Sequence, residues 1–367
     1  MNRGGAESLI MNLYRKIDRS RYQFDFLVHT NEKGDFDEEI TSLGGNIFRI
    51  PWFNGVNYFA YRRKASQFLE KHPEYLIIHD HISSSAAAFL HEGIKLNRFA
   101  IVHCHSGNFY KGMKRLAFSA STFPLRYNAD YYLACSEEAG ADTFGTQVLK
   151  QKNFAILNNA IDLDLYHCDQ AAYLTQRKML GLTDRAVFGH IGRFESVKNH
   201  EFLLRTFALI AKEIPNAVLL LAGRGPLENE IRSLARHLKI DSMVQFLGVR
   251  SDIPDILKAV DVFVFPSKSE GLGIAAIEAQ AAGAYCVLSS GVPESAAIVN
   301  NVRLSLEDGE PLWAKKCIEK YRAVANSSRA DQIKAVADSG FDLDSTVAKL
   351  INLYDFALIS KSPAAPL

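Results

Sequence analysis

Three absences narrow what this sequence of 367 residues can encode. The five cysteines are scattered without a Cys-x-x-Cys pair, which argues against a disulfide framework and a structural zinc site. Lys and Arg together number 42 and Asp and Glu 41, so no overall charge attracts nucleic acid. No apolar run approaches the ~18 residues of a membrane-spanning helix, and the first residues do not form the apolar core of a secretory signal. We therefore expect a cytoplasmic protein without a nucleic-acid partner.

The composition is that of a folded α/β protein. Hydrophobic residues make up 48% and charged residues 23% of the chain, which excludes extensive disorder. Short β-branched or aromatic runs alternate with amphipathic stretches along almost the whole length, a pattern typical of parallel βα units. The predicted strands are Tyr22 to Val28, Leu76 to His79, Phe99 to Cys104, Tyr131 to Cys135, Phe154 to Leu157, Ala186 to Ile191, Ala217 to Ala222, Met243 to Leu247, Val260 to Phe265 and Tyr285 to Leu288. Predicted helices between them include Tyr61 to Lys71, Glu137 to Phe144 and Asn199 to Glu213.

A chain of this length exceeds one ordinary core, and we predict two successive doubly wound α/β domains. The first is expected at residues 1–165 and the second at residues 166–342. The boundary is placed within Asn158 to Asp184, a stretch with weak periodicity and several polar turn residues. A final helix, at about residues 343–359, is expected to cross back to the first domain.

Candidate ligand groups follow predicted strands of the second half. Open α/β sheets bind ligands at the carboxyl ends of their strands, where helix N-termini offer free N–H groups to anions. Arg193 and Lys198 follow the strand that ends at Ile191, and two cations at this spacing can converge on a diphosphate. Such residues are also common on surfaces, so they do not establish a site alone. After the next strand, Gly223-Arg224-Gly225-Pro226 predicts a tight turn whose proline begins a helix.

The segment Pro266 to Ala279 is more specific. It follows an apolar predicted strand, and Gly271 and Gly273 allow a ligand to approach the backbone closely at the start of a helix. Glu270 lies in the turn, where its carboxylate can accept hydrogen bonds from sugar hydroxyls. Glu278 falls about two turns into an otherwise apolar helix, where a carboxylate is costly to bury without partners. Ribose hydroxyls are candidate partners.

In order and spacing these motifs resemble those of retaining nucleotide-sugar glycosyltransferases, especially the family-4 bacterial enzymes of capsular polysaccharide, exopolysaccharide and lipopolysaccharide synthesis. The resemblance covers nearly the whole chain. The segments that carry it are Gly4-Gly5-Ala6-Glu7, His103-Cys104-His105-Ser106, Ala134-Cys135-Ser136, Asn159-Ala160-Ile161-Asp162, Gly192 to Lys198, Gly223 to Pro226, Phe246 to Arg250 and the Glu270/Glu278 pair. It implies a GT-B fold, in which two Rossmann-like domains face a cleft, the first on the acceptor side and the second binding the nucleotide sugar.

The resemblance also implies which residues hold the donor. Arg193 and Lys198 would bind the diphosphate, and Glu278 the nucleotide ribose. The backbone near Val249 would lie close to the base. The amides of Leu272 and Gly273 would reach the phosphates.

The catalytic residues implied by the resemblance are Glu270 and His105. Glu270 would contact the transferred sugar, and His105 would stand near it in the cleft. We choose His105 over His103 because it is nearer the end of its predicted strand. Gly5 would border the donor phosphate and the acceptor side.

We expect no metal ion and no cofactor. Two cations and a helix start can stabilise the charge that develops on a leaving diphosphate, and no Asp-x-Asp follows a predicted strand of the second domain. The histidines at alternate positions near two strand ends are interpreted as strand-end residues; they are His79, His81, His103 and His105. In the resembled family the acceptor hydroxyl attacks the sugar on the same face from which the diphosphate departs, so configuration is retained. An oxygen of the diphosphate takes the proton of the acceptor hydroxyl.

One departure from the family pattern concerns the beginning of the chain. Family members have a buried strand before the Gly-Gly loop, whereas here Gly4 and Gly5 follow Met1 within a few residues. We therefore expect the first strand of the N-terminal domain to be missing. Our hypothesis is that Met1 is an internal methionine and that the working protein begins about ten residues upstream.

The expected donor is a UDP-sugar, by family frequency, and the expected activity that of a retaining hexosyltransferase. The acceptor, a glycan or a polyprenyl-diphosphate-linked glycan, would meet the surface from Asn108 to Thr122. Within it, the basic amphipathic segment from Phe109 to Phe118 either touches the inner face of the cytoplasmic membrane or forms a solvated helix. The alternatives are a non-catalytic nucleotide-sugar-binding remnant or assembly scaffold, and a UDP-sugar epimerase on the same fold.

Overall fold

The computed structural model describes residues 1, 4–105, 113–324 and 329–361. The chain divides into two compact units. Unit 1 comprises Met1–Ile161 together with Leu343–Leu367, and unit 2 comprises Asp162–Asp342. The first division therefore lies after Ile161, whereas the sequence analysis placed it after residue 165.

Unit 1 consists of six short strands and seven helices within the described residues. The strands are β1 (Phe26–Val28), β2 (Ile47–Arg49), β3 (Ile77–Asp80), β4 (Phe99–Cys104), β5 (Tyr131–Ala134) and β6 (Phe154–Ile156). The helices before the division are α1 (Gly5–Lys16), α2 (Asp37–Ser42), α3 (Tyr58–Lys71), α4 (Ser83–Lys95), α5 (Met113–Thr122) and α6 (Glu137–Phe144). Strands β1 and β2 form one parallel pair, and a separate parallel sheet has the order β3-β4-β5-β6.

The second sheet of unit 1 is buried on both faces. Successive side chains of a strand point to opposite faces, so Phe99 and Ile101 of β4 join one core while Ala100 and Val102 join the other. The first core contains residues of α1 and of the C-terminal helix at Leu343–Lys361, and the second contains residues of α3, α4 and α6. The C-terminal helix thus belongs to unit 1.

Two differences from the predicted strands occur near the start of unit 1. Only Phe26–Val28 of the predicted strand from Tyr22 is a strand, since the pairing with β2 begins at Phe26. Tyr22 and Phe24 instead pack their rings against Tyr354 of the C-terminal helix. Strand β2 was not predicted. In the described part of the chain no strand precedes α1, whose N-cap is Gly4.

Unit 2 is built on one parallel sheet of six strands. They are β7 (Ala186–Ile191), β8 (Ala217–Ala222), β9 (Val244–Gly248), β10 (Val262–Phe265), β11 (Tyr285–Ser289) and β12 (Asn301–Leu304). The helices are α7 (Leu163–Tyr166), α8 (Gln170–Met179), α9 (His200–Glu213), α10 (Glu228–His237), α11 (Ile253–Lys258), α12 (Ile274–Ala281), α13 (Gly309–Val324) and α14 (Gln332–Val336), and the C-terminal helix is α15. The order in the sheet is β12-β11-β10-β7-β8-β9.

This strand order contains a topological switch point. From β7 the chain proceeds outward through β8 and β9, then returns to the other side of β7 and proceeds through β10 to β12. The crevice at the carboxyl ends of β7 and β10 is where such sheets bind ligands. The predicted strands β7 and β8 have the observed bounds, whereas α7, α8 and β12 were not predicted.

No helix in the described part of the chain combines the length and the apolar character that crossing a membrane requires.

Candidate active site

The candidate site of unit 2 lies at the switch point between β7 and β10. These strands are neighbours, with Phe188 opposite Val262 and Gly189 opposite Phe263. The loops that follow them are joined by a backbone hydrogen bond of 2.8 Å, from the N–H of Lys268 to the carbonyl of Val197. Residues that are about 70 positions apart in the sequence therefore meet at one edge of the sheet.

Lys198 and Glu270 form the central contact of this site. The Lys198 Nζ lies 2.7 Å from Oε1 and 2.9 Å from Oε2 of Glu270, so the ammonium donates to both carboxylate oxygens. Lys198 ends a 3-10 turn at Ser196–Lys198, and the N–H of Glu270 is fixed by the Gly291 carbonyl at 2.9 Å. The Lys198 ammonium also lies 5.1 Å from the centre of the Phe265 ring. The side chains of Lys198 and Glu270 are 20% and 10% exposed, so the pair is mostly buried but still reaches solvent.

The turn after β8 packs against the loop after β7. The N–H of Phe194 donates to the Arg224 carbonyl at 3.1 Å. A Cβ on Gly225 would lie 2.6 Å from the Phe194 carbonyl oxygen, so this close approach requires glycine. Pro226 does not begin the helix as predicted, because α10 begins two residues later at Glu228. The turn shapes the loop that carries the predicted diphosphate ligands.

Arg193 has a different environment from Lys198. Its guanidinium pairs with Glu195 at 2.6 Å, and its side chain is 69% exposed. In the described structure Arg193 therefore contacts neither of the two predicted sugar-binding carboxylates, and its role toward a diphosphate stays a prediction. Among the residues that the structure describes, the ion pair with Glu195 is the contact that holds this side chain, and exposed ion pairs are weak.

Helix α12 begins beside Glu270. Gly273 is its N-cap residue and has φ +82°, in the left-handed region that favours glycine. A Cβ on Gly273 would also lie 3.2 Å from the Val292 side chain. Leu272 is 8% exposed, so its side chain anchors the loop in the core. The first backbone N–H groups of a helix have no partner within the helix, which makes this end suited to an anion.

Glu278 is largely enclosed and has a partner that the sequence analysis did not identify. The Tyr166 hydroxyl donates to Glu278 Oε1 at 2.7 Å, across 112 positions of the sequence. Removal from water raises the pKa of Glu278 to about 7, against an ordinary value of 4.5. The carboxyl group therefore changes its charge near neutral pH, whereas an exposed glutamate is fully ionised there.

Val249 follows β9 and is 47% exposed. The carbonyl of the preceding residue, Gly248, accepts a 2.8 Å hydrogen bond from the N–H of Gly223. This hydrogen bond joins the end of β9 to the turn after β8. Proximity of Val249 to a base stays a prediction.

His105 and Gly5 belong to unit 1 and are described within that unit. The His105 Nδ1 lies 3.3 Å from Asn159 Oδ1, and its Nε2 lies 2.7 Å from His81 Nδ1. Since the amide oxygen only accepts, His105 carries its proton on Nδ1 and accepts from His81 through Nε2. Burial lowers the pKa of His105 to about 4, so the ring is neutral at pH 7. Gly5 begins α1 and faces open space, since a Cβ there would have no neighbour within 4 Å.

Three polar residues of these regions were missed by the sequence analysis as site residues: Tyr166, Asn159 and Ser267. Asn159 lies in a motif that the sequence analysis quoted, but its contact with His105 depends on tertiary structure. Ser267 is fully buried two residues after the end of β10, and its hydroxyl has no hydrogen-bond partner among the described residues. The signal in the sequence that could have identified Ser267 is its position shortly after a predicted strand.

The predicted acceptor surface lies partly outside the described residues, since residues 106–112 are not among them. The rest belongs to α5 and its surroundings. There, Met113 is 84% and Leu116 69% exposed, and Phe123 and Tyr127 are 53% and 76% exposed in the turn that follows. This surface of unit 1 presents large apolar side chains to solvent.

Comparison with known proteins places both halves of the chain in one class. Residues 3–165 match the family model described as Glycosyltransferase Family 4, and residues 174–311 match the model described as Glycosyl transferases group 1. The putative glycosyltransferase EpsF of Bacillus subtilis is 34% identical over 97% of this chain and 94% of that protein. The capsular polysaccharide biosynthesis glycosyltransferase CapH of Staphylococcus aureus is 24% identical over 96% of both chains.

A solved structure gives the same result for the fold. Anabaena HepE, crystallised in complex with UDP-glucose, has a TM-score of 0.75 to this chain over 97% of both chains, at 19% identity. The prediction of two Rossmann-like parallel-sheet units of the GT-B type is thereby confirmed. With matched models on both halves and a relative similar over almost its full length, the chain belongs to the glycosyltransferase family.

Proposed function

We propose that this protein transfers a hexose from a UDP-sugar to a glycan or lipid-linked acceptor, with retention of configuration, in the synthesis of a cell-surface polysaccharide. The observation that carries the proposal is the contact of Lys198 with Glu270 at the switch point, beside the start of α12. The names of the relatives support the biosynthetic role, since CapH is a capsular polysaccharide enzyme, and HepE binds UDP-glucose.

The Lys198 ammonium is suited to a leaving diphosphate. An ammonium has three N–H donors, and Glu270 accepts from two of them at most. The remaining donor and the free N–H groups at the start of α12 can both reach an anion placed between them. As the sugar–oxygen bond breaks, negative charge grows on the diphosphate, and fixed donors stabilise it most in that state. Arg193 adds a second cation when it releases Glu195.

Glu270 is assigned to the transferred sugar. Its carboxylate is acceptor-only, so hydroxyl groups of the sugar can donate to it. Lys198 fixes its orientation, and the Gly291 carbonyl fixes its backbone. A diphosphate that draws Lys198 away frees the carboxylate for these hydroxyls. Donor binding thus converts an internal ion pair into two contacts with the ligand.

The remaining residues are assigned to the other parts of the donor, which are its ribose, its phosphates and the transferred sugar. Glu278 holds the ribose, in competition with the Tyr166 hydroxyl, and the amides of Leu272 and Gly273 contact the phosphates. His105 acts near the reacting sugar as a neutral imidazole. We assign no metal ion and no cofactor to the transfer itself. The exposed apolar side chains of α5, Met113 and Leu116, support an amphiphilic acceptor.

The proposal is tested by measuring UDP release from a panel of UDP-sugars, with and without lipid-linked acceptors extracted from bacterial membranes. We expect release that depends on both substrates and falls by at least about 100-fold in Glu270→Gln, since a contact made in the transition state is lost. The matched control is Glu294→Gln, an exposed glutamate that follows the Gly291 loop.

Each outcome separates the proposal from its rivals. Tight UDP-sugar binding without release under any acceptor would support the non-catalytic binding protein instead. Conversion of the donor into an isomeric UDP-sugar would support the epimerase. Equal release by the wild type and Glu270→Gln would refute the assignment of Glu270, and an inverted anomeric configuration in the product would refute retention.

A further inference from the structure

Four histidines gather at the carboxyl ends of β3 and β4 in unit 1. His79 lies opposite Ile101 in the parallel register, so alternate residues from both strands share one face of the sheet. This face brings together the histidine cluster, which consists of His79, His81, His103 and His105. The ring centres of His79 and His81 are 4.2 Å apart, and that of His103 lies 5.4 and 5.3 Å from them.

The cluster contains imidazole nitrogens without hydrogen-bond partners. Among the described residues these are His79 Nε2 and both ring nitrogens of His103, which is 0% exposed. The backbone of Leu157 lies near the His103 ring, but no hydrogen bond of good geometry forms. Each buried polar atom left unpaired destabilises a fold unless a ligand satisfies it. Three such atoms in two neighbouring rings indicate a binding site.

The nitrogens are arranged as metal ligands. One ring nitrogen from each of His79, His81 and His103 lies within 4.8 Å of the other two. Ligand nitrogens around a tetrahedral zinc ion are ~3.4 Å apart, since each lies about 2.0–2.1 Å from the metal. Metal binding would require the rings to rotate until these nitrogens come closer together. Imidazole binds a metal ion in its neutral form.

A second layer of hydrogen bonds supports this arrangement. The Nδ1 atom of His79 lies 2.8 Å from the Tyr354 hydroxyl. The Nδ1 atom of His81 lies 2.7 Å from His105 Nε2. The Tyr354 hydroxyl oxygen and His105 Nε2 can each accept a hydrogen bond, so each ring can donate its Nδ1–H and keep Nε2 for a metal. Histidine ligands in metalloproteins have this kind of partner on their second nitrogen.

We propose that His79, His81 and His103 bind a divalent transition-metal ion, Zn(II) in preference to other metals, with a fourth position left for water or another small ligand. Three imidazoles without thiolate or carboxylate favour Zn(II), Cu(II), Ni(II) and Co(II) over Mg(II) or Ca(II). The absence of d-electron preferences lets Zn(II) accept the geometry that the rigid strands impose. The three proposed ligands lie within unit 1 and include no residue of the donor site assigned to unit 2, although His81 also contacts the predicted catalytic residue His105.

The test uses the full chain after removal of metals with a chelator. The chain is titrated with Zn(II) by calorimetry, and bound zinc is counted by mass spectrometry after desalting. We expect one equivalent, and Co(II) should give the visible absorption bands of a four-coordinate site. The variants His81→Gln and His103→Gln should each weaken Zn(II) binding by at least about tenfold. The control His91→Gln changes a histidine of α4 outside the cluster and should bind like the wild type.

Stability measurements guard against misfolded variants. The Zn(II)-dependent rise in unfolding temperature is compared with the metal-free value of the same variant, so a change in the variant's own stability cancels. We expect this rise in the wild type and in His91→Gln but not in His81→Gln or His103→Gln. No retained zinc in the wild type, or retention and stabilisation that survive in both cluster variants, would overturn the proposal.

Discussion

Replacing Glu278 by glutamine should stabilise unit 2 while it weakens donor binding. Enclosure raises the pKa of this carboxyl from 4.5 to about 7, so ionising it in the folded state is unfavourable. Well below pH 4.5 the carboxyl group is protonated in both the folded and unfolded states, so it does not affect the free energy of unfolding. As the pH rises to about 7, only the unfolded state loses the proton freely, and the folded state is destabilised progressively.

The magnitude follows from the two pKa values. Their difference corresponds to about 3 kcal/mol above pH 7, and partial access of solvent reduces this to about 1–3 kcal/mol. Glu278→Gln removes the ionisation and keeps an oxygen for the Tyr166 hydroxyl. We therefore expect the free energy of unfolding to increase by about 1–3 kcal/mol at pH 8 and by much less at pH 5.

The assay is urea unfolding at pH 5 and pH 8, followed by tryptophan fluorescence and circular dichroism. The control is Glu230→Gln, an exposed glutamate of α10, which should change stability by less than about 0.5 kcal/mol at both pH values. UDP affinity, measured on the same protein preparations without urea, should fall in Glu278→Gln and not in Glu230→Gln. A gain in stability of equal size at both pH values, or none at pH 8, would refute the reasoning.

Two further substitutions test the framework of unit 2. Asp261→Ala removes the carboxylate that pairs with the buried guanidinium groups of Arg177 at 2.9 Å and Arg329 at 3.4 Å, so we expect a loss of about 3–5 kcal/mol, measured by calorimetry as a fall of about 10 °C in unfolding temperature. A fall below about 3 °C would contradict this. Gly225→Ala places a Cβ 2.6 Å from the Phe194 carbonyl oxygen and should displace the loop of the predicted diphosphate ligands, lowering UDP affinity in a calorimetric titration at least tenfold. Unchanged affinity would show that the loop does not form the site.

The sequence predicted best those elements that are buried on both faces. Strands β7 and β8 were predicted at their observed bounds because continuous apolar runs in a parallel sheet end abruptly at glycine or polar residues. Strand β12 was missed because it lies at the sheet edge and alternates Asn301 and Arg303 with apolar residues over only four positions. Strand β2 is shorter still, with three residues, and within the described residues it pairs with β1 alone.

The site could be predicted as residue types at strand ends but not as contacts. Lys198 and Glu270 were both predicted to line the ends of strands, and they meet because β7 and β10 are adjacent in the sheet order. That Arg193 turns to Glu195 depends on the choice of rotamer at the surface, which no spacing encodes. The Tyr166 partner of Glu278 lies in a segment without strong periodicity, so no local pattern pointed to it.

The histidine cluster shows the same limit. The alternation of the histidines was visible in the sequence, and it predicted residues at strand ends. Whether His79 meets His103 depends on the register of β3 against β4, and a shift by one residue would turn one pair to the opposite face. The prediction that no metal binds was therefore made without knowledge of the distances between these histidines.

The central claim is that Lys198, which pairs with Glu270 at the switch point, binds the donor diphosphate. Calorimetric titration with UDP tests this claim most directly. Lys198→Met should weaken UDP binding about 10- to 150-fold, the effect of losing a hydrogen bond to a charged group worth about 1.5–3 kcal/mol. Lys268→Met is the matched control, because this lysine lies on the adjoining loop with its ammonium 3.5 Å from the Ser196 hydroxyl. The account predicts wild-type affinity for the control and a large loss for Lys198→Met. Equal UDP affinity in the wild type and Lys198→Met would contradict it.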